Sequence, residues 1–266
     1  MNTDGLSINL AIVRQQWNLR EAVEACARHG ITARSVARPG GRARLEEAVR
    51  VIKANGMRVT GYCRGGMFTA DGAIDDNKRA IEEAAALGAE CLILVAGGLP
   101  KGTRDIETAR QMVADGIAAI LPHARACGVP LAIEPLHPMY AADRACVNTL
   151  AQALDLCDLL GDGTGVAIDT YHVWWDPALA LQIKRAGDSK RILAYHICDW
   201  LVPTRDLLLD RGMMGDGVID FPRIRQWVQK AGYRGFTEVE IFSAENWWKN
   251  PGDEVLRTCI ERFNTA

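Results

Sequence analysis

The chain has 266 residues, 48% of them hydrophobic and 24% charged, with a formal net charge of -2 and five histidines. That balance gives no general attraction for a nucleic-acid backbone, and the apolar content suits a soluble globular chain with a substantial core rather than a disordered one. No apolar stretch reaches the roughly 18 residues of a membrane span, and MNTDGLSINLAIV lacks the basic start of a secretory signal, so a cytoplasmic location without membrane attachment is expected.

Short apolar or β-branched runs alternate with longer amphipathic stretches along the whole chain. In order, the predicted strands begin with LSINLAIV from Leu6, ITARSVA from Ile31, MRVTGYC from Met57 and AECLILVAG from Ala89. VPLAIEPL from Val129, TGVAIDTY from Thr164, RILAYHICD from Arg191 and GFTEVEIFS from Gly235 complete the set. Helix-like segments such as LREAVEACARHG, DDNKRAIEEAAALG and the long stretch from Asp105 to Cys127 lie between them, several closing on the glycine expected of a C-cap. Strict alternation of strand and helix predicts a parallel sheet, and eight such units close most simply as a (β/α)₈ TIM barrel of the α/β class, one domain over residues 1–266. An open doubly wound sheet would show a glycine-rich phosphate turn after its first strand, and none is present. Gly97-Gly98 reads as a tight turn. The eight cysteines form no CxxC pair and read as buried reduced thiols.

Barrel enzymes place their chemistry where the strands end at the C-terminal rim. Four consecutive predicted strands end there in Ile133-Glu134-Pro135, Ile168-Asp169-Thr170, Tyr195-His196-Ile197 and Val239-Glu240-Ile241. Each acid alone is more often a helix cap or a solvated charge, but charges flanked by apolar strand residues are rarely left without a partner. Three carboxylates and an imidazole meeting at one point call for a divalent cation. The oxygen-rich set favours Mn²⁺ first, with Mg²⁺, Co²⁺ or Zn²⁺ as alternatives.

The segments IEPLHP, AIDTYH, AYHICDW and EVEIFS resemble those of the xylose isomerase-like TIM barrel superfamily of sugar isomerases, epimerases and inosose dehydratases. The resemblance implies that Glu134, Asp169, His196 and Glu240 are the metal ligands, that Glu134 and Glu240 exchange protons with substrate, and that His172 contacts a substrate oxygen. It also implies a glycine-rich loop at RGMMGDGVIDF, with Asp220 capping the next helix. The arginine that ketose 3-epimerases carry just after the metal-binding His is replaced here by Asp199-Trp200, with Arg205 and Arg211 the nearest arginines. Asp199 and Arg205 are therefore candidate substrate-binding residues beside His172, Trp17 and Trp174.

Such a site supports isomerisation or epimerisation of a keto-sugar through a metal-stabilised enediolate, with two bases giving epimerisation. The alternative is elimination of a β-leaving group from a 3-oxo-sugar, as in inosose dehydratases or the α subunit of C-glycoside deglycosidases. His137, three residues past Glu134, would be the added acid or base for it, although a lone rim histidine is more often structural. Tryptophans in the rim loops suit a carbohydrate substrate, while Trp247-Trp248 fits an oligomer interface equally well, with a second type of subunit as an option. Arg14, Arg38 and Arg64 also lie in rim loops and are candidates for an anion, though loop arginines are ordinarily solvated. A non-catalytic binding barrel is the remaining alternative, and measured metal content separates it from an enzyme.

Overall fold

The computed structural model describes residues 2–38 and 41–266. Its first half runs β1 (Leu6–Asn9), α1 (Leu19–Arg28), β2 (Ala33–Ala37), α2 (Arg42–Ala54), β3 (Arg58–Gly66), α3 (Ala73–Leu87), β4 (Leu92–Val95) and α4 (Ile106–Cys127). The second runs β5 (Leu131–Glu134), α5 (Leu150–Leu160), β6 (Thr164–Asp169), α6 (Thr170–Val173), α7 (Leu179–Asp188) and β7 (Ile192–Ile197). It continues with β8 (Asp199–Trp200), β9 (Arg211–Gly212), α8 (Phe221–Lys230), β10 (Thr237–Val239) and α9 (Gly252–Phe263). Strands β1 to β7 and β10 form a closed parallel barrel, β10 joining β7 to β1, and this is the (β/α)₈ architecture expected.

Side chains alternate along each strand, so one set faces the helices and the other fills the barrel. Leu6, Ile8, Leu92, Leu94, Leu131, Ile133, Val166 and Ile168 belong to the main core that the helices cover. Each such side chain contributes about 1.5–3 kcal/mol when fully buried. Inside, the β4 to β7 side is small and apolar: Ile93, Ala132, Ala167 and Ala194 pack together. Across from it, Ser7, Thr60 and Glu238 form a buried hydrogen-bonded group, with Thr60 Oγ1 donating to Glu238 at 2.8 Å.

The sequence places the strands well and their ends less well. LSINLAIV is a strand only to Asn9, whose side chain accepts from Ala11 N and caps a 3-10 turn over Leu10–Val13. TGVAIDTY stops at Asp169, which caps α6. The short hairpin in which Asp199 and Trp200 pair with Gly212 and Arg211 carries no signal in the pattern, because two-residue strands are too short to show a period. Gly88 and Gly128 end α3 and α4 in the left-handed conformation, the C-cap use anticipated. All eight cysteines are free thiols, six of them buried. No helix among the described residues is long and apolar enough to cross a membrane.

Candidate metal centre

β5, β6, β7 and the residue after β10 bring Glu134, Asp169, His196 and Glu240 together, one donor atom from each lying within 4.8 Å of the others. All four are buried, Asp169 completely. His196 turns Nδ1 toward Glu134 Oε1 at 3.3 Å, and its Nε2 lies 3.8 Å from Glu238 Oε1. Neither Glu134 Oε1 nor His196 Nδ1 has an aligned hydrogen-bond partner. Buried polar atoms left open in this way, side by side at the barrel mouth, are what a metal ion would satisfy.

The electrostatics agree. Burial drives the carboxyls of Asp169 and Glu240 up from their ordinary range, with Arg211 opposing and Glu134 reinforcing the rise. For His196, burial alone would lower the pKa, but Glu238, Glu134 and Glu240 together lift it to about 10. Four acidic side chains thus crowd against two cationic groups, His196 and Arg211, and a divalent ion would stabilise their ionised forms. The donor set therefore fits one.

Two residues that shape this centre were not assigned roles from the sequence. Glu238 shares the inward face of the last barrel strand with Glu240, a spacing that alternation alone would have shown. It is held by Thr60, by Asn9 Nδ2 at 3.1 Å and by Ser7 Oγ at 3.5 Å, and it faces the far nitrogen of His196, so it orients that imidazole. Arg211 is the second. Its Nη1 lies 3.2 Å from Asp169 Oδ2 and 3.3 Å from Glu240 Oε2, and its Nη2 lies 3.2 Å from His172 Nε2. Its guanidinium sits over the rings of Tyr171 and Phe242.

Arg205, by contrast, has a side chain that is 71% exposed and paired with Asp210, and it does not line this cavity. The β8–β9 hairpin carries Arg211 inward while Arg205 stays in the loop between the two strands. Asp199 is also drawn elsewhere. Its carboxylate accepts from the backbone N–H groups of Trp200, Gly215, Gly217 and Ile219, which fastens the glycine-rich loop. A Cβ on Gly217 would meet Trp200 O at 2.1 Å, so the loop closes only with glycine there. Asp220 caps α8 as expected, and Asp216 holds Trp247 Nε1 and Arg262.

His172 lines the cavity, fully enclosed; burial, and Arg211 after it, hold it well below the usual imidazole range and therefore neutral. His137 stacks on Trp200 at 4.7 Å, its Nδ1 accepts from Met139 N, and its backbone N–H donates to His172 Nδ1. Its ring does not line the cavity, so it supports His172 rather than facing the acids. Trp174 packs against Trp200 away from the cavity, whereas Trp17 lines an adjoining recess that shares Arg14, Cys63, Glu240 and Phe242 with it. Trp247 and Trp248 are neither cavity wall nor exposed patch: both are buried in their own chain, with Trp248 Nε1 donating to Ala11 O.

Fold and donor cluster together define a (β/α)₈ barrel with a metal-type centre at the C-terminal mouth. The chain belongs to the xylose isomerase-like TIM barrel family, whose model matches residues 19–263. The structure of protein SMc04130 from Sinorhizobium meliloti 1021 is 62% identical and superposes with a TM-score of 0.95 over 99% of this chain and 98% of that one. The IOLI protein, solved with a bound zinc atom, is 21% identical with a TM-score of 0.83 over 98% of this chain and 97% of its own. Inosose isomerase of Halalkalibacterium halodurans is 27% identical over 143 residues, 51% of this chain and 47% of that protein. The match thus spans about half the length of that curated relative. Several proteins the chain resembles, inosose isomerase, a 3-keto-D-glucoside 4-epimerase and a D-allulose 3-epimerase, are sugar-modifying enzymes, while others carry different names, an AP endonuclease of Brucella melitensis among them.

Proposed function

We propose that the protein is a divalent-metal-dependent sugar isomerase or epimerase working through an enediolate. The observation that carries this is the convergence of donor atoms from Glu134, Asp169, His196 and Glu240 within 4.8 Å, with Glu134 and Glu240 lining a cavity. The zinc atom of the IOLI protein and the activity of inosose isomerase support it from relatives.

Those four side chains would hold the ion, which when bound supplies Lewis-acid polarisation of a substrate carbonyl. Glu134 and Glu240 reach the same cavity from different sides of the barrel. Each is placed to take or return a proton at the carbon next to that carbonyl. Asn9 Nδ2 fixes one oxygen of Glu240 at 2.8 Å, while Glu134 keeps an oxygen free of hydrogen bonds. Removing the proton from one face and returning it on the other inverts the carbon; returning it to the neighbouring carbon moves the carbonyl. Neutral His172 presents an uncharged ring to the substrate oxygens, and Arg211 beside it supplies the positive charge that keeps the acids in place. Manganese is the favoured ion on the oxygen-rich donor set, with zinc, magnesium and cobalt as the alternatives.

The test is elemental analysis of the protein as isolated and after adding Mn²⁺, followed by incubation with keto-sugars in deuterated water. About one ion per chain and solvent deuterium at the carbon next to the carbonyl are expected. Glu240→Gln should lose the exchange and weaken the ion. A wild-type chain that takes up no divalent ion would sink the proposal and leave a binding barrel.

A further inference from the structure

We infer that the substrate carries an anionic group, carboxylate or phosphate, held by Arg14, Arg64 and Arg144 where they line the cavity. This rests on the reaction proposed above and adds the substrate class to it.

The cavity above the acids measures about 260 Å³, and its wall includes all three of these arginines as well as Arg211. Arginines elsewhere on the chain are mostly spoken for. Arg38 binds Asp76 and Glu83, Arg185 binds Asp155 and Asp158, and Arg58 binds Glu90. Arg14, Arg64 and Arg144 form no ion pair among the described residues. Arg144 is the most telling of them: its Nε is buried without a hydrogen-bond partner, and its guanidinium lies 5.4 Å from the centre of the Tyr140 ring. Arg14, although exposed, is braced on Trp248 with its guanidinium carbon 4.1 Å from the ring centre. Burial lowers the pKa of Arg14, and no carboxylate opposes that shift.

The acids in the same cavity do not answer these cations. Glu134 is turned to His196, and Glu240 to Asn9 and Arg211. Asp143 and Asp206 act on Tyr140 from the nearby loops, yet neither pairs with Arg144. A chain of net charge -2 has thus lined its acid-bearing cavity with unanswered positive charge. A planar guanidinium braced or half-buried in this way matches the oxygens of a carboxylate or phosphate, which it binds through paired hydrogen bonds. With the anion at this wall, the carbonyl end of the substrate points to the acids, so the charge also selects which end reacts.

The test is calorimetric titration of the Mn²⁺-supplemented protein with three non-reacting open-chain ligands, glucitol, gluconate and glucitol 6-phosphate. At least one anion should bind tenfold or more tighter than glucitol, and the better of the two identifies carboxylate or phosphate. Arg64→Gln and Arg144→Gln should each remove that margin while leaving glucitol binding unchanged. Arg14→Gln, at an exposed position, provides the same reading should the other two fail to fold. Equal binding of all three ligands, or an anion preference that survives every arginine substitution, would overturn the inference, the second result assigning the preference to the metal. Arginine-dependent anion binding without deuterium exchange on any carbonyl sugar would keep this subsite and remove the proposed reaction. Exchange confined to neutral ketoses would do the reverse.

Discussion

Strands β1 to β4 and their loops bring Asn9, Cys63, Arg14 and Arg64 to the barrel mouth, whereas β5, β6, β7 and the residue after β10 bring the four residues of the candidate metal cluster. The donors stand on or directly beside hydrogen-bonded strands whose register is set by the barrel, so their mutual distances follow from the backbone. The basic residues reach in from strand ends and loops on long side chains. Rigid strands can therefore carry the chemistry while the loops around the rim, including the one after β5 that brings Arg144, carry recognition. Glu238 and Glu240 show a related division: Glu238 is held below the cavity by Ser7, Asn9 and Thr60, while Glu240, held by Asn9 and Arg211, lines it.

The strongest way to break that comparison is to remove the cation that the acidic half borrows. Arg211→Met should destabilise the metal-free protein by about 3–5 kcal/mol, because Asp169 and Glu240 lose their buried partner. Urea unfolding measures this, and added Mn²⁺ should restore part of the loss. A change below about 1 kcal/mol would mean that the acids do not depend on Arg211. Glu238→Gln should keep the fold but weaken metal affinity by about 10- to 100-fold through misalignment of His196, as read by competition with a chelator. Unchanged affinity would reduce Glu238 to a packing role.

Proton linkage sharpens the comparison further. The raised pKa values of Glu240 and His196 mean that both carry protons near neutrality in the metal-free protein. A metal must displace those protons, so its affinity should rise with pH by about tenfold per unit for each proton released. Chelator titrations between about pH 6 and 8 check the slope, and a flat profile would show that the site is already deprotonated. The smallest effect is expected at Arg205→Ala: stability should stay within about 0.5 kcal/mol of wild type, with metal and anion binding unchanged.

How much of this was legible in the sequence follows from what each feature depends on. The barrel and the four converging residues show because buried strands and helices impose strong periods, and because strand ends are where apolar runs meet acids. Glu238 was legible in principle from its two-residue spacing to Glu240. The exchange of Arg205 for Arg211 was not, since it depends on a hairpin of two residues per strand that returns the chain over the mouth. Asp199 shows the same limit: nothing in DW says that its carboxylate will take four amide protons from a loop up to 20 residues away. The tryptophan pair at 247 and 248 reads as surface because it follows a strand, yet α9 and the first turn of the chain close over it.

Asp169 joins two tasks in one side chain: it stands among the clustered donors, and its Oδ1 accepts from Tyr171 N to start the turn that carries His172. The two functions are therefore inherited together, since drift at this position would disturb the donor set and swing His172 in a single step. Asparagine is the exception, being a good cap without the charge. A chain with Asn at 169 would keep the layout of its pocket while losing its hold on a cation, and a relative bearing that exchange would be recognisable as a barrel that had turned from catalysis to binding.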